Sequence, residues 1–284
     1  MLEDQMAGTL YLVSTPIGNL NDITIRAIDI LNSVDTILTE DTRVTHKLLK
    51  HHAVKTNKPL QSFNLINEDK KAPKIISLVK EGKDIALVSD AGTPLISDPG
   101  YKFIKHAREN GIRVEPIPGC CALIAAITSS GLPSDRFTFL GFLSRSSTKR
   151  INELKKLSQK EETLIFYESV HRIESLIEDM INIFGGNRQA VVCKEITKIH
   201  ESFIGETLSD ISHFFGNNKE KIKGEFTVVV QGSSEAESVS EELDKILGIL
   251  MSDLSLKKAV EIANKVSKFS KSKIYDRALK IKNQ

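Results

Sequence analysis

Short apolar runs alternate with amphipathic stretches from the start of the chain. Residues 9–14, 36–38, 85–89 and 114–117 are apolar runs of strand length, and each is followed by a polar or turn-forming cluster, which predicts buried β-strands. Between the first two, Ile23, Ala27, Ile30 and Leu31 recur at helical spacing, so a helix is expected to begin near Asp22, a residue suited to the N-cap. Asp98-Pro99 predicts another helix start, the acid as cap and the proline in the first turn, and Gly111 its stop. Alternation of this kind is the grammar of an α/β layer with a largely parallel sheet.

The pattern breaks at Gly131-Leu132-Pro133-Ser134. Beyond it, residues 163–167, 190–193, 201–204 and 226–230 predict strands, with helices over about 171–184 and 208–215, an α/β or α+β unit. Gln231-Gly232-Ser233-Ser234, with the acids and serines after it, predicts a linker. Three apolar stripes follow: Leu243, Ile246, Leu247 and Leu250, then Ala259, Val260 and Ala263, then Ile274, Ala278 and Leu279. They predict a three-helix appendix resembling a helix-turn-helix module, a pattern that many small bundles share. The expected division is therefore 1–131, 132–232 and 233–284.

Composition narrows the class. With 40% apolar and 27% charged residues, 284 residues can bury the cores of about two domains. No apolar run approaches the roughly 18 residues of a membrane span. Residues 1–6 carry Glu3 and Asp4 where a leader would be basic and apolar, so neither secretion nor membrane insertion is expected. Three cysteines, two of them adjacent at Cys120 and Cys121, suit a reducing cytoplasm better than a disulfide framework or a zinc site. Seven scattered histidines give no ligand grouping, and no metal is expected. The net charge of +2 conceals an asymmetry: residues 257–284 hold nine Lys or Arg against Glu261 and Asp276, a tail of +7 on a remainder of −5. Such a block is either a solvated helical face or a footprint for a polyanion.

Ligand sites of open α/β sheets lie beyond the carboxyl ends of the strands. Three loops there combine glycine with proline: Ser14-Thr15-Pro16-Ile17-Gly18-Asn19, Ser89-Asp90-Ala91-Gly92-Thr93-Pro94 and Pro118-Gly119-Cys120-Cys121-Ala122. Glycine lets backbone approach a ligand and proline fixes the turn, although tight βα turns need the same residues. The G-x-G-x-x-G and Walker patterns are absent. On its own this grammar indicates a small-molecule crevice.

The ordered set GTLYLVSTPIGNLNDITIRA, EDTR, LVSDAGTPLISDPG, PIPG, GLPSDRF, FYESVHR, KEITK and KGEF, spanning residues 8–232, resembles the tetrapyrrole-methylase superfamily. More narrowly, it resembles the small-subunit rRNA cytidine-2′-O-methyltransferases. The resemblance implies a two-domain fold whose cleft binds S-adenosylmethionine, a homodimer, 16S rRNA in the small ribosomal subunit as partner, and a C-terminal module. Carried over by motif, Pro16, Asp90, Ala91, Gly92, Pro94, Ile96, Pro118, Cys121 and Ala122 are the implied cofactor residues, with Tyr167 and Glu168 closing the cleft. Asn64 and Ile66 stand where the family usually shows histidines, Lys194 where it often has arginine, and Ser144 where it often has proline. Lysine keeps the charge there but loses the forked hydrogen bonding of arginine.

Ribose methylation needs alignment of the hydroxyl and removal of its proton. Glu40, Asp41 and Arg43 follow a buried strand and are candidates for base and phosphate contact, or simply a favourable helix start. Lys194 and Glu195 are a second candidate pair, or a structural ion pair. His171-Arg172 either contacts RNA or caps a helix. For phosphate contacts the candidates are Arg145, Lys149 and Arg150 near the boundary, with Lys257, Lys258, Lys271 and Lys273 in the tail, each of which is otherwise a solubilising residue. Two competing readings are a methyltransferase acting on a tetrapyrrole ring carbon and a non-catalytic RNA-binding assembly factor.

Overall fold

The computed structural model describes residues 7–55, 58–64, 66–233, 235–267 and 271–282. In the first unit β1 (Thr9–Val13), α1 (Ile25–Ser33), β2 (Thr36–Thr39), α2 (Thr42–His51), β3 (Leu60–Ser62), α3 (Glu68–Lys80), β4 (Ile85–Val88), α4 (Tyr101–Glu109) and β5 (Arg113–Ile117) alternate. The strands form one sheet in the order β3-β2-β4-β1-β5, parallel throughout. Period-two alternation divides its core between two faces. Leu10, Leu38 and Leu87 pack with Ile75, Val79 and Phe103 of α3 and α4. Val13, Ile37 and Val88 pack with Ala27, Leu31 and Leu49 of α1 and α2.

Both expected helix starts move by two residues. Thr24, not Asp22, caps α1, its hydroxyl accepting the Ala27 N–H at 3.1 Å. Helix α4 is preceded by Gly100 rather than Asp98, because the Asp98 side chain is drawn to the wall of a cavity described below. Strand β3 is a three-residue edge strand that the hydrophobic pattern does not announce.

Helix α5 (Ala122–Ser129) leads into the second unit: β6 (Phe137–Gly141), α6 (Ser147–Leu157), β7 (Thr163–Ser169), α7 (Ile173–Phe184), β8 (Ala190–Lys194), β9 (Ser202–Ile204), α8 (Leu208–Asn217) and β10 (Glu225–Val230). Its sheet, ordered β6-β7-β10-β8-β9, is mixed: only β6 and β7 are parallel, and the other pairs are antiparallel. One face, with Phe166, Val192 and Val228, packs on Leu176, Met180 and Phe215 of α7 and α8. The opposite face, with Ile165, Val191 and Val229, packs on Leu123, Ala126 and Ile127 of α5. Helix α5, which follows β5 of the first sheet, is thus packed on the second.

Gly232 and Ser233 are not a free linker. A Cβ on Gly232 would lie 2.0 Å from the Glu161 carbonyl oxygen, and the Ser233 N–H donates to the Lys160 carbonyl at 2.6 Å. Three helices follow, α9 (Glu235–Asp253), α10 (Leu256–Val266) and α11 (Lys271–Lys282). They close on Leu243, Leu247, Val260, Ala263, Ile274 and Ala278. Leu279, expected in that stripe, is instead partly exposed.

Candidate active site

The three glycine and proline loops meet. Thr15 and Gly92 exchange backbone hydrogen bonds at 2.9 and 3.0 Å, and the Thr93 hydroxyl donates to the Cys120 carbonyl at 2.9 Å. Gly92 has φ +89°, and a Cβ there would press on Ile17 at 3.3 Å, so glycine is required on both counts. Where these loops face the second sheet lies a cavity of about 510 Å³, within the usual range for a small-molecule site. Ile17, Ala91, Gly92, Ile96, Cys121 and Ala122 form one wall. The other is a two-strand ladder: Tyr167, Glu168 and Ser169 of β7 lie opposite Thr227, Phe226 and Glu225 of β10, and all six line the cavity.

The polar groups of this wall are individually fixed. The Tyr167 hydroxyl accepts the Leu123 N–H at 3.1 Å, and the Phe139 and Phe142 rings stand edge-on to its ring at 4.9 and 5.7 Å. Burial, together with the neighbouring Cys121, pushes its phenol up, so it stays neutral. The Glu168 side chain is 0% exposed. Its Oε1 accepts from the Ser169 N–H at 2.7 Å, and from Arg172 Nε at 2.8 Å and Nη2 at 2.7 Å. Arg172 thus holds the cavity wall through Glu168 and stands at the N-cap position of α7, without a side-chain cap hydrogen bond.

Two buried carboxylate oxygens on this cavity, Glu168 Oε2 and Asp98 Oδ2, have no hydrogen-bond partner among the described residues. A buried acceptor left unpaired is costly, so a bound molecule carrying N–H, O–H or positive charge fits here. Burial pushes the Asp98 carboxyl up against the contrary effect of the Ser89 hydroxyl.

The remaining expected residues divide among other surroundings. Pro16 and Asp90 line a second cavity of about 390 Å³, which shares Ile17, Ala91 and Glu225 with the first. Pro94 lines a small recess with Glu40 and Asp98, and Pro118 is exposed and lines none of them. Glu40 is pushed up by partial burial and by the charges of Asp98 and Asp90. Asp41 caps α2 by accepting the Arg43 N–H at 2.8 Å. It is also bound by the guanidinium of Arg43, whose side chain is 88% exposed, and that contact holds its carboxyl down at about 2.

Lys194 ends β8 half-buried and lines neither cavity. Glu195 is committed to structure, accepting Lys198 Nζ at 2.8 Å and the Glu225 N–H at 2.9 Å. Burial pushes its carboxyl up, but these contacts outweigh that and leave it lowered. Arg145, Lys149, Lys257, Lys258 and Lys271 are exposed, and the side chain of Lys273 lies outside the described residues. Arg150 is withdrawn from the phosphate candidates. It is 4% exposed, and its Nε donates to Asp179 at 2.7 Å, joining α6 to α7. The 224–227 segment and Phe142 line the cavity although the sequence reading names neither as a contact, the KGEF motif being the signal for the first; His171, expected to contact RNA or cap a helix, lines it too.

Residues 9–212 match the model of the Tetrapyrrole (Corrin/Porphyrin) Methylases, and residues 237–282 that of the RsmI C-terminal HTH domain. The chain belongs to the tetrapyrrole methylase family. As a tetrapyrrole methylase it is a methyltransferase. Among its relatives, Ribosomal RNA small subunit methyltransferase I of Pasteurella multocida is 40% identical over 278 residues, 97% of this chain and 98% of the relative. The protein of the same name from Vibrio cholerae is 43% identical over 273 residues, 95% and 93% of the two chains. In fold this methylase resembles a cobalt precorrin-4 methyltransferase of cobalamin biosynthesis, with a TM-score of 0.60 at 18% identity, covering 78% of this chain and 94% of the other. Among the described residues no helix is long and apolar enough to cross a membrane. Among those residues, no group of three or more His, Cys, Asp or Glu is placed to hold a metal.

Proposed function

We propose that this methylase transfers a methyl group from S-adenosylmethionine to the ribose 2′-oxygen of a cytidine in 16S rRNA, acting as a cytoplasmic homodimer. The observation that carries this reading is the pairing, in one chain, of the methylase cavity with a basic C-terminal helical unit, a combination shared along nearly the whole length with relatives named as small subunit rRNA methyltransferases. S-adenosylmethionine supplies a methyl carbon activated by a positively charged sulfur. The chain supplies the rest: an apolar wall from Ile17, Ile96 and Ala122 for a flat adenosine, and the free Glu168 and Asp98 oxygens for its donors and charge. Exposed Arg145, Lys149, Lys257, Lys258 and Lys271 are available for RNA phosphates.

Transfer of labelled methyl to purified small subunits lacking the modification, with nucleotide-resolved mapping, tests the reading. The expected product is a single cytidine 2′-O-methyl. Donor binding without RNA labelling would overturn the acceptor assignment, and absence of donor binding would overturn the enzyme assignment.

A further inference from the structure

Displacement at a methyl carbon is in line, so the acceptor oxygen must arrive from a space that adjoins the donor's. The recess at Glu40 and Asp98 holds about 10 Å³, room for one water at most. The shallow depression beside Leu157 has only Phe142 in common with the donor cavity. The 390 Å³ cavity adjoins it along Ile17, Ala91 and Glu225 and has the volume for a nucleotide.

We propose that this second cavity receives the acceptor nucleotide, turned out of the RNA, with the Lys47 ammonium on its phosphate and the Asp90 carboxylate on its 2′-hydroxyl. The inference rests on the reading of the chain as a ribose methyltransferase.

Two cations line the cavity. Lys198 is already taken, its Nζ 2.8 Å from Glu195 and 3.0 Å from Glu225. Lys47, exposed on α2, makes no ion pair or hydrogen bond among the described residues and is the cation left for a phosphate. Contacts to phosphate hold RNA in place without reading its sequence, and a base turned out of its stack needs a pocket to receive it. Asp90 is the uncommitted carboxylate of the cavity. Its Oδ1 accepts the Asp41 N–H at 2.9 Å, which fixes the carboxylate and leaves Oδ2 available. Burial raises its carboxyl from the ordinary value, opposed by the hydrogen bond from the Asp41 N–H and by the charge of Arg43 and assisted by the charge of Asp41, and a raised carboxylate is the better proton acceptor near neutrality. It is also next in the chain to Ala91, which lines both cavities. As the O–C bond forms, the electron pair of the breaking C–S bond stays on sulfur, which becomes a neutral thioether. The hydroxyl proton passes to Asp90.

The test uses the full chain with unmodified small subunits, and calorimetry of S-adenosylmethionine on every variant. Val44, 43% exposed, lines the second cavity but not the first, so Val44→Trp fills the acceptor space from the surface. It is expected to lower kcat/KM for the subunits by about 100-fold, the scale of a misplaced reactant, with donor affinity unchanged. Lys47→Gln should raise the subunit KM by about tenfold and reduce the slope of log affinity against log salt by about 1. Asp90→Asn should lower kcat by about 10²- to 10⁴-fold without moving KM. Methylation by Val44→Trp at the wild-type rate overturns the inference, as does loss of donor binding in these variants, which would place the second cavity in the donor site. If the wild-type chain itself labels no RNA ribose, the underlying reading falls and this inference with it. If it does and Val44→Trp labels equally, this inference alone falls.

Discussion

The two sheets build opposite walls of one cavity by different means. In the parallel first sheet all strands run the same way, so the loops after β1, β4 and β5 emerge at one edge and converge without any further device. The mixed second sheet cannot gather its loops so. It uses the faces of two antiparallel neighbours instead, and the β7–β10 register sets Tyr167, Glu168 and Ser169 beside Thr227, Phe226 and Glu225. A wall of loops can vary residue by residue. A wall of ladder is tied to the pairing of strands more than fifty positions apart in sequence.

The sharpest way to break this contrast is to cut the core on each face of the second sheet. Ile165 faces α5 and Phe166 faces α7 and α8, and both are fully buried. Ile165→Ala and Phe166→Ala should each cost about 2–5 kcal/mol in denaturant unfolding, but only Ile165→Ala should also weaken donor binding in calorimetry. Equal loss of donor affinity in both would show that the two faces are not separable. Next in size, Glu168→Gln keeps shape and removes the charge from the ladder wall. Donor affinity should fall by about 1.5–3 kcal/mol, the worth of a hydrogen bond to a charged group, with RNA affinity unmoved in a filter-binding measurement.

Removal of residues 234–284 addresses neither wall. Donor affinity should be retained while the KM for small subunits rises by about tenfold, equivalent to about 1.4 kcal/mol. A parallel drop in donor affinity would mean that the helical unit supports the cavity after all. The smallest effect is expected at α8, where Thr207 and Asp210 form a reciprocal capping box away from the cavity. Thr207→Ala should cost about 1 kcal/mol in stability, with the rate of methyl transfer unchanged.

The contrast also explains what could be seen in the sequence. Strands β1, β2, β4 and β5 are dense apolar runs, and the loops after three of them carry glycine and proline, so the first wall is legible from local pattern alone. Tyr167 and Glu168 become candidates only through resemblance, and their partners on β10 escape attention because register is a long-range property. Strand β6 follows the irregular 131–136 stretch and has no fully buried apolar residue before Gly141, so its pattern is faint. Arg150 misleads for a related reason: a basic residue among polar neighbours looks solvated until Asp179, 29 positions away, folds over it. Asp98 misleads in the opposite sense, since an acid before proline looks like a helix cap and is instead held at the cavity wall.

Leu123, Ala126 and Ile127 leave the first unit on α5 and are buried against the second sheet, so swinging the sheets apart would strip this seam to water. The chamber is therefore standing architecture, open at a fixed doorway. A donor molecule should meet it ready-made, arriving at a pace set by its own concentration and not by any breathing of the protein.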